Sequence, residues 1–455
     1  LARSRSPLAN ALSVATFFVF VVPGLGQPWA EISQRLRRSD SDATSTLNGS
    51  DATATVNSSK YVCAFRGRRD YYQAPLALAE AELLDSFITD VYAGGTVRAL
   101  SKTLPARLRE KVLQRRRSGI PDNHVRCLWT STLFERANFR LGKPESLIFA
   151  RYDAEYSKVA AAHARKNRSN LFLYSPYAWE AFTAQYRHTP HKVLFQFHPH
   201  PDLESRILNE DKKRFPFVRE SYTEESGERL NDRLRQRNRD AWKHADLVFC
   251  ASSFTRRSLL EAGAPETKCR IVPYGIDVPD ISIEAPETFN ALFVGAGSQR
   301  KGLHHLLLAW KQARLPKDSK LTLVCRTIDS GILELLSKTP NVELIRGLTQ
   351  KDLAQQFRQS SLFVMPSLVE GFGQVYLEAL AEGCPVLGTR NTGLPDIGGE
   401  AVTIVDAGDI DQLTSQLESL SYQLPGNTRI RAAAQHSAAG FSWLRFRQNL
   451  IGALV

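Results

Sequence analysis

The stretch from Ser361 to Gly388 constrains the fold of this chain more than any other. Ser361 to Met365 is a short apolar run that reads as a buried strand. A turn with Gly371 and Gly373 follows, then a helical pattern, and Cys384-Pro385-Val386-Leu387-Gly388 returns as the next strand. Strand, helix and strand in that order demand a parallel sheet. The two glycines let the backbone approach a ligand closely and leave amides unpaired at the helix start. Those amides and the helix dipole suit a phosphate. Glu370, in the turn, can accept hydrogen bonds from sugar hydroxyls. Glu378 stands eight residues on, about two helical turns along, where it could reach a ribose. A ligand with sugar hydroxyls at one end, phosphate in the middle and ribose at the other fits this pattern, and such a ligand is a nucleotide sugar.

The same alternation runs through most of the sequence, in two rounds. Tyr61 to Phe65 reads as the first strand, followed by the loop Arg66-Gly67-Arg68-Arg69-Asp70 and a helix over Leu76 to Ile88. Further strands are expected at Leu147 to Ala150, Leu171 to Tyr174, Lys192 to Phe197 and Leu247 to Ala251, with helices over Arg151 to Lys166 and Glu225 to His244. The pattern then restarts with strands at Phe289 to Val294, Leu321 to Cys325 and Val342 to Ile345, and helices over Gly302 to Ala313 and Gln350 to Gln359. The fold class is therefore α/β, with two Rossmann-like domains facing a cleft and joined around Pro273 to Glu287. Ligands should bind at the carboxyl ends of the strands. At 455 residues the length also favours two domains.

Before Tyr61 the sequence has a different character. Arg3 and Arg5 precede the apolar stretch Ala11 to Val22 and the small residues Pro23-Gly24-Leu25-Gly26, a pattern open to three readings: signal peptide, membrane anchor or inert leader. Ser39 to Lys60 is rich in Ser, Thr, Asp, Asn and Ala and reads as a disordered linker. Asp40-Ser41-Asp42 within it lacks an adjacent strand and reads as chance rather than a metal motif, and sequons stand at Asn48, Asn57 and Asn167. The expected organisation is a leader and linker over 1–60, an acceptor-side domain over 61–280, a nucleotide-sugar domain over 281–440 and a final helix over 441–455.

A net charge of +12 favours anionic partners such as nucleotides or anionic lipid surfaces. Zinc spacings and basic-aromatic runs are absent from the sequence, which argues against nucleic acid. The six cysteines are widely spaced and fit free thiols in a reducing, cytoplasmic compartment, with membrane association as the alternative. Val97 to Arg117 carries Leu100, Leu104, Leu108, Val112 and Leu113 at helix-like spacing beside Arg107, Arg109, Lys111 and Arg115 to Arg117. It reads either as a surface helix or as a contact with an anionic membrane, and Pro105 begins or kinks it.

Gly295-Ala296-Gly297-Ser298-Gln299-Arg300-Lys301-Gly302 opens the second round. It fails the dinucleotide fingerprint, because Arg300 stands where the third glycine belongs. Two cations between a strand and a helix suit a diphosphate instead: Arg300 forks across oxygens and Lys301 supplies a point charge.

With these pieces in place, residues from about 247 to 450 resemble the retaining glycosyltransferases of family 4, which have the GT-B fold. The matching segments are Cys250 to Thr255, Val272 to Asp277, Arg300-Lys301-Gly302, Arg346-Gly347-Leu348 and the E-x7-E motif from Glu370 to Glu378. The resemblance implies that Glu370 and Glu378 bind donor sugar and ribose. It also implies that Gly371, Phe372, Gly373 and Gln374 line sugar and phosphates, that Arg300 and Lys301 grip the diphosphate, and that Leu348 lies near the base. In the first half the family often has a glycine pair after the first strand, where Gly67 stands alone among arginines. The family's strand-end histidine is best matched by His198, with His200 second. His198 and His200 lack further ligands at zinc spacing.

The expected function is transfer of a hexosyl group from a nucleoside diphosphate sugar to a hydroxyl of a glycan or lipid-linked glycan. The resemblance adds retention, a catalytic set of Glu370, Arg300, Lys301 and His198, and no need for a metal or other cofactor. A sugar phosphorylase or epimerase of the same fold, and a non-catalytic nucleotide-sugar or glycan-binding protein, remain as alternatives.

Overall fold

A computed structural model describes residues 60–142, 145–218, 220–221 and 232–454. The leader over 11–26, the linker over 39–59, the Asp40-Ser41-Asp42 triplet and the sequons at Asn48 and Asn57 lie outside the described residues.

Two parallel sheets make up the structure. The first contains β1 (Tyr61–Ala64), β2 (Leu84–Thr89), β3 (Val125–Cys127), β4 (Asn170–Tyr174), β5 (Lys192–Gln196), β6 (Leu247–Cys250) and β7 (Cys269–Ile271). Its order is β3-β2-β1-β4-β5-β6-β7. The second contains β8 (Asn290–Val294), β9 (Lys320–Val324), β10 (Val342–Ile345), β11 (Leu362–Met365), β12 (Val386–Thr389) and β13 (Val402–Val405), in the order β10-β9-β8-β11-β12-β13. Central strands such as β1, β11 and β12 are buried along their whole length. That is why they read as unbroken apolar runs rather than alternating ones. In each sheet the chain direction of growth reverses once, at β1/β4 and at β8/β11, and a crevice opens above the carboxyl ends at each reversal.

Several local expectations are corrected. The helix expected over Leu76 to Ile88 is the helix Gln73–Glu80 followed by β2. Glu82, at a φ of 58°, turns the chain between them. The strand expected at Leu147 to Ala150 is instead the start of a long helix, Glu145–Asn167. Ile148, Tyr152, Tyr156, Ala160 and Ala164 are all buried at intervals of four, so the helical stripe continues upstream through the apolar run. Val97 to Arg117 is not one helix: Gly95–Ser101 and Ala106–Leu113 are separated at Pro105, which caps the second. The strands β3, β7 and β13, three or four residues long, were not expected from the sequence. Among the described residues, no helix is long and apolar enough to cross a membrane. All six cysteines are free, five of them buried.

The two domains are joined where the chain crosses between them twice. Ile276 N donates to Phe441 O at 2.7 Å, and Ile276 pairs with Ser442 in a parallel bridge. Gly275 is required there, since a Cβ would sit 2.6 Å from the Trp443 nitrogen. Ser442 then caps the helix Trp443–Gly452, whose Trp443, Phe446 and Leu450 are buried in the core of the first domain. Phe446 stacks on Tyr274 with ring centroids 6.0 Å apart. At the rim, Arg447 Nε meets Glu80 Oε2 at 2.7 Å.

A second connection lies at residues 201–221. The helix Pro201–Arg214 starts in the first domain, where His200 Nε2 lies 3.1 Å from Arg239 O. Farther along, Leu208 packs with Leu368 and Val369, and Val218 enters the core of the second domain. Ser221 N donates to Asp329 Oδ2 at 2.7 Å.

The final helix belongs energetically to the first domain, so Phe446→Ala should destabilise that domain by about 3–5 kcal/mol through loss of a buried ring. Arg447→Ala should cost less, about 1–2 kcal/mol, because it loses the rim ion pair to Glu80 and the hydrogen bond from its Nη1 to the buried Gln73 Oε1. Equilibrium denaturation followed by tryptophan fluorescence checks both, and equal effects would contradict this packing.

Candidate nucleotide-sugar site

The crevice at β8/β11 is built from two loops. The loop after β8 runs through Gly295 to Gly302 and delivers Arg300 and Lys301 to the start of the helix Leu303–Gln312. Gly302 holds a φ of 68°, and a Cβ there would overlap the Pro366 carbonyl. The loop after β11 runs from Pro366 to Gly373, which caps the helix Gln374–Ala381 at a φ of 82°. The two loops are tied together, with Leu368 N donating to Arg300 O at 2.8 Å. Glycine is needed at these points for left-handed backbone and close approach.

Glu370 stands at the centre, 8% exposed. Its Oε2 accepts from Arg300 Nη1 at 3.0 Å and forms a closer ion pair with Lys301 Nζ. Burial alone would raise its pKa, but Lys301 and then Arg300 overcome that and hold it at about 2. Arg300 Nε also faces Glu204 Oε1 at 3.8 Å. Glu370 N donates to Asn391 O at 3.0 Å, fixing the turn.

Across the cleft lies the end of β5. Gly371 fits so closely against it that a Cβ would overlap Phe197 O and stand 3.1 Å from the His198 Cα. The Gly371 carbonyl accepts from Thr255 Oγ1 at 3.0 Å and from Ser252 Oγ, both in the first domain. Ser252 also caps the helix Ser253–Glu261. His198 is partly buried, and its pKa is pushed down to about 3 by burial first and then by Arg300, with Glu370 opposing only in part. It is therefore a neutral imidazole at neutral pH. His200, the second histidine candidate, is instead buried and caps the helix Pro201–Arg214 through Nδ1, which accepts from Asp202 N at 3.3 Å.

The remaining candidates spread around this centre. Phe372 is buried and touches the Tyr274 ring. Gln374 leaves a buried Nε2 with no hydrogen-bond partner among the described residues. Glu378 lies half-buried near the first domain's Tyr71, whose phenol is pushed well up by burial and then by the Glu378 charge. Leu348 lies in the loop after β10, where Gly347 takes a φ of 87° and Arg346 Nη1 donates to Arg326 O at 3.2 Å.

Gly67 lies in the crevice of the first sheet, on the loop after β1. Its φ is 80°, its nitrogen donates to Asp90 Oδ1 at 3.1 Å, and a Cβ would meet nothing within 4 Å. The arginines around it are engaged: Arg66 pairs with Glu135, and Arg68 Nη1 donates to Gln114 Oε1 at 2.9 Å. Directly after them Asp70, Tyr71 and Tyr72 hold φ values of 47°, 52° and 64°. Three successive left-handed residues without a glycine cost about 1–2 kcal/mol each. Tyr174 donates to Asp70, whose pKa rises to about 7 through burial, opposed by Arg69.

Sequence reasoning missed Ser252 and Thr255 as interdomain donors, although their segment was singled out. It also missed a buried group in which Asp211 meets the adjacent pair His304 and His305, which lie far from it in sequence.

Comparison with known proteins agrees with this architecture. Residues 288–422 match the family described as Glycosyl transferases group 1. The chain is 27% identical over 196 residues to MMP alpha-(1->4)-mannosyltransferase of Mycolicibacterium hassiacum, covering 41% of this chain and 48% of the relative. It spans about half the length of the curated relatives it matches. Sucrose-phosphate synthase of Thermosynechococcus elongatus superposes with a TM-score of 0.57 at 17% identity, covering 87% of this chain and 98% of the other. HepE of Anabaena, solved in complex with UDP-glucose, gives 0.51 at 14% identity, covering 87% and 99%. This chain folds into two parallel-sheet α/β domains of the GT-B type, and residues 288–422 of the second match the model for Glycosyl transferases group 1.

Proposed function

We propose that this protein is a glycosyltransferase that moves a hexosyl group from a nucleoside diphosphate sugar to a hydroxyl acceptor, with retained anomeric configuration. The observation that carries this reading is the meeting of Arg300 and Lys301 with Glu370 at the β8/β11 reversal, directly opposite His198. The donor diphosphate would lie along Arg300, Lys301 and the amides from Gly371 to Gln374. Ribose would reach Glu378, and the base would lie toward Leu348. Glu370 and His198 would hold the transferred sugar. Both cations face Glu370, and Arg300 also faces Glu204; a bound diphosphate would offer them a further anion.

In the proposed step the bond from the anomeric carbon to the β-phosphate oxygen breaks and the bond to the acceptor oxygen forms on the same face. The acceptor's proton passes to the leaving phosphate. Arg300, Lys301 and the helix amides stabilise the charge that grows on that phosphate. A neutral His198 can donate a hydrogen bond to the sugar without adding repulsion to the cations beside it. The step calls for no metal. The acceptor would enter from the loop around Gly67, and a glycan or lipid-linked glycan of polysaccharide or cell-envelope synthesis fits the relatives' activities. The protein would then work in the cytoplasm, at or near an anionic membrane surface.

Screening UDP-, GDP- and ADP-sugars by thermal shift should single out one donor class, which Arg300→Ala should bind more weakly. Against that donor, Arg300→Ala, Lys301→Ala and Glu370→Gln should each lower kcat/KM about 100- to 1000-fold. Wild-type turnover in any folded member of the set would sink the assignment.

His198 gives a second test. Its folded pKa, about 3, lies below the unfolded value of about 6.5, so the unfolded chain binds the proton more readily. Stability contributed by neutral His198 is present above pH 6.5 and is lost as pH falls toward 3. Glu370 acts in the same direction, from its ordinary 4.5 down to about 2. The His198 imidazole resonances should stay unchanged between pH 8 and pH 5, and a titration centred near 6.5 would refute this environment.

A further inference from the structure

Directly behind Arg300 and Lys301, the first turn of the helix Leu303–Gln312 carries adjacent histidines, His304 and His305. Both face Asp211 of the helix Pro201–Arg214, and the three side chains are 0%, 2% and 4% exposed. One ligand atom from each lies within 4.8 Å of the others. None of the three belongs to the donor crevice, and nothing proposed for transfer uses them.

The contacts within this group are unequal. His304 Nε2 meets Asp211 Oδ2 at 3.0 Å as a hydrogen bond. His305 Nε2 stands 2.8 Å from Asp211 Oδ1, within ion-pair distance but poorly aligned for a hydrogen bond. An imidazole N–H lies in the ring plane, so a short separation without a bond means that the ring axis misses the oxygen. Two buried polar atoms held this close but poorly aligned gain from a partner that both can reach. A cation placed off the line between them would receive both lone pairs.

The donor set matches such an ion. Two imidazole nitrogens and one carboxylate oxygen suit zinc and neighbouring late first-row divalent metals. Ligand atoms about 3.3 Å apart form the edge of a tetrahedron with bonds of about 2 Å. His304 Nε2 and His305 Nε2 stand 3.0 and 2.8 Å from the two Asp211 oxygens, and all three ligands lie within 4.8 Å of one another. A water would supply the fourth position. The surroundings hold the ligands in place. Gln299 Nε2 donates to Asp211 Oδ2 at 2.8 Å and to Leu208 O at 2.7 Å, which orients the carboxylate. The Phe215 ring packs edge-on against both imidazoles, at 5.2 and 5.1 Å, and restricts how they can turn.

We propose that Asp211, His304 and His305 bind a divalent cation of the zinc class that fastens the Pro201–Arg214 segment to the second domain. The three ligands are too deeply buried to meet a substrate, so the role is structural. The ion would fix the start of the Leu303–Gln312 helix, and with it the loop that presents Arg300 and Lys301. The proposal stands whatever the chain transfers.

The test uses the full chain without a histidine tag, stripped by chelator and returned to metal-free buffer. Zinc should bind at about one equivalent by elemental analysis after excess is removed, and should raise the thermal midpoint by about 3 °C or more. Cobalt should bind at the same stoichiometry and give the visible absorption of a low-symmetry site. Asp211→Asn and the double variant His304→Gln/His305→Gln should lose the equivalent, the cobalt band and the thermal gain, with unchanged far-ultraviolet circular dichroism. A folded wild-type chain that takes up neither metal stoichiometrically overturns the proposal and leaves a purely hydrogen-bonded cluster. Full retention of zinc by the double variant overturns it equally. If the variants do not fold, the wild-type titration decides alone.

Discussion

A carboxylate that is almost wholly buried cannot stand alone, and much of this structure follows from how Glu370 is compensated. Its partners come from a different loop, so the ion pair with Lys301 and Arg300 draws the ends of β8 and β11 into one site. Burial would favour a neutral Glu370; two adjacent cations reverse that preference. The same cations, with burial, keep His198 neutral across the cleft. A single cluster thus sets the charge of three elements: anionic loop, cationic helix start and neutral strand end.

Beside its apolar contacts, the seam between the domains is held by close backbone packing. Gly371 presses on Phe197 and His198 where no side chain fits, and its carbonyl receives Ser252 and Thr255. These contacts explain why the segment from Cys250 to Thr255 belongs with the motifs of the second half, although it sits in the first sheet. Its hydroxyls hold the loop that carries Glu370.

The second domain was largely legible in the sequence. Its central strands β8, β11 and β12 are buried along nearly their whole length, so they appear as short apolar runs, and the charged residues of the site stand in the loops beside β8 and β11. The first domain was less so, for physical reasons that differ by element. The run Leu147 to Ala150 is apolar because a helix buries one stripe there, and a four-residue window cannot separate the two periods. β2 was absorbed into a neighbouring helix because Glu82 turns the chain without a glycine or proline to mark the place. Among the candidate residues, Glu370, Arg300 and Lys301 gather at one point with His198 opposite, whereas Gly67 lies on a separate loop of the first sheet. His200 illustrates the ambiguity of a lone histidine, since at two residues' distance from His198 it serves as a helix cap. The group of Asp211, His304 and His305 left no pattern at all, because topology alone brings a helix of the first half onto one of the second.

The paired crossing at Ile276 and Ser442 has a mechanical consequence. Two covalent links that pass side by side act as a door hinge: they permit rotation about one edge and resist sliding. A domain swing about that edge would leave the crossing nearly still and displace the far lip of the cleft most. The segment 201–221 makes a separate link between the domains, with His200 anchored on one leaf and Val218 on the other. It therefore works as a door chain, whose length limits how far the two halves can part.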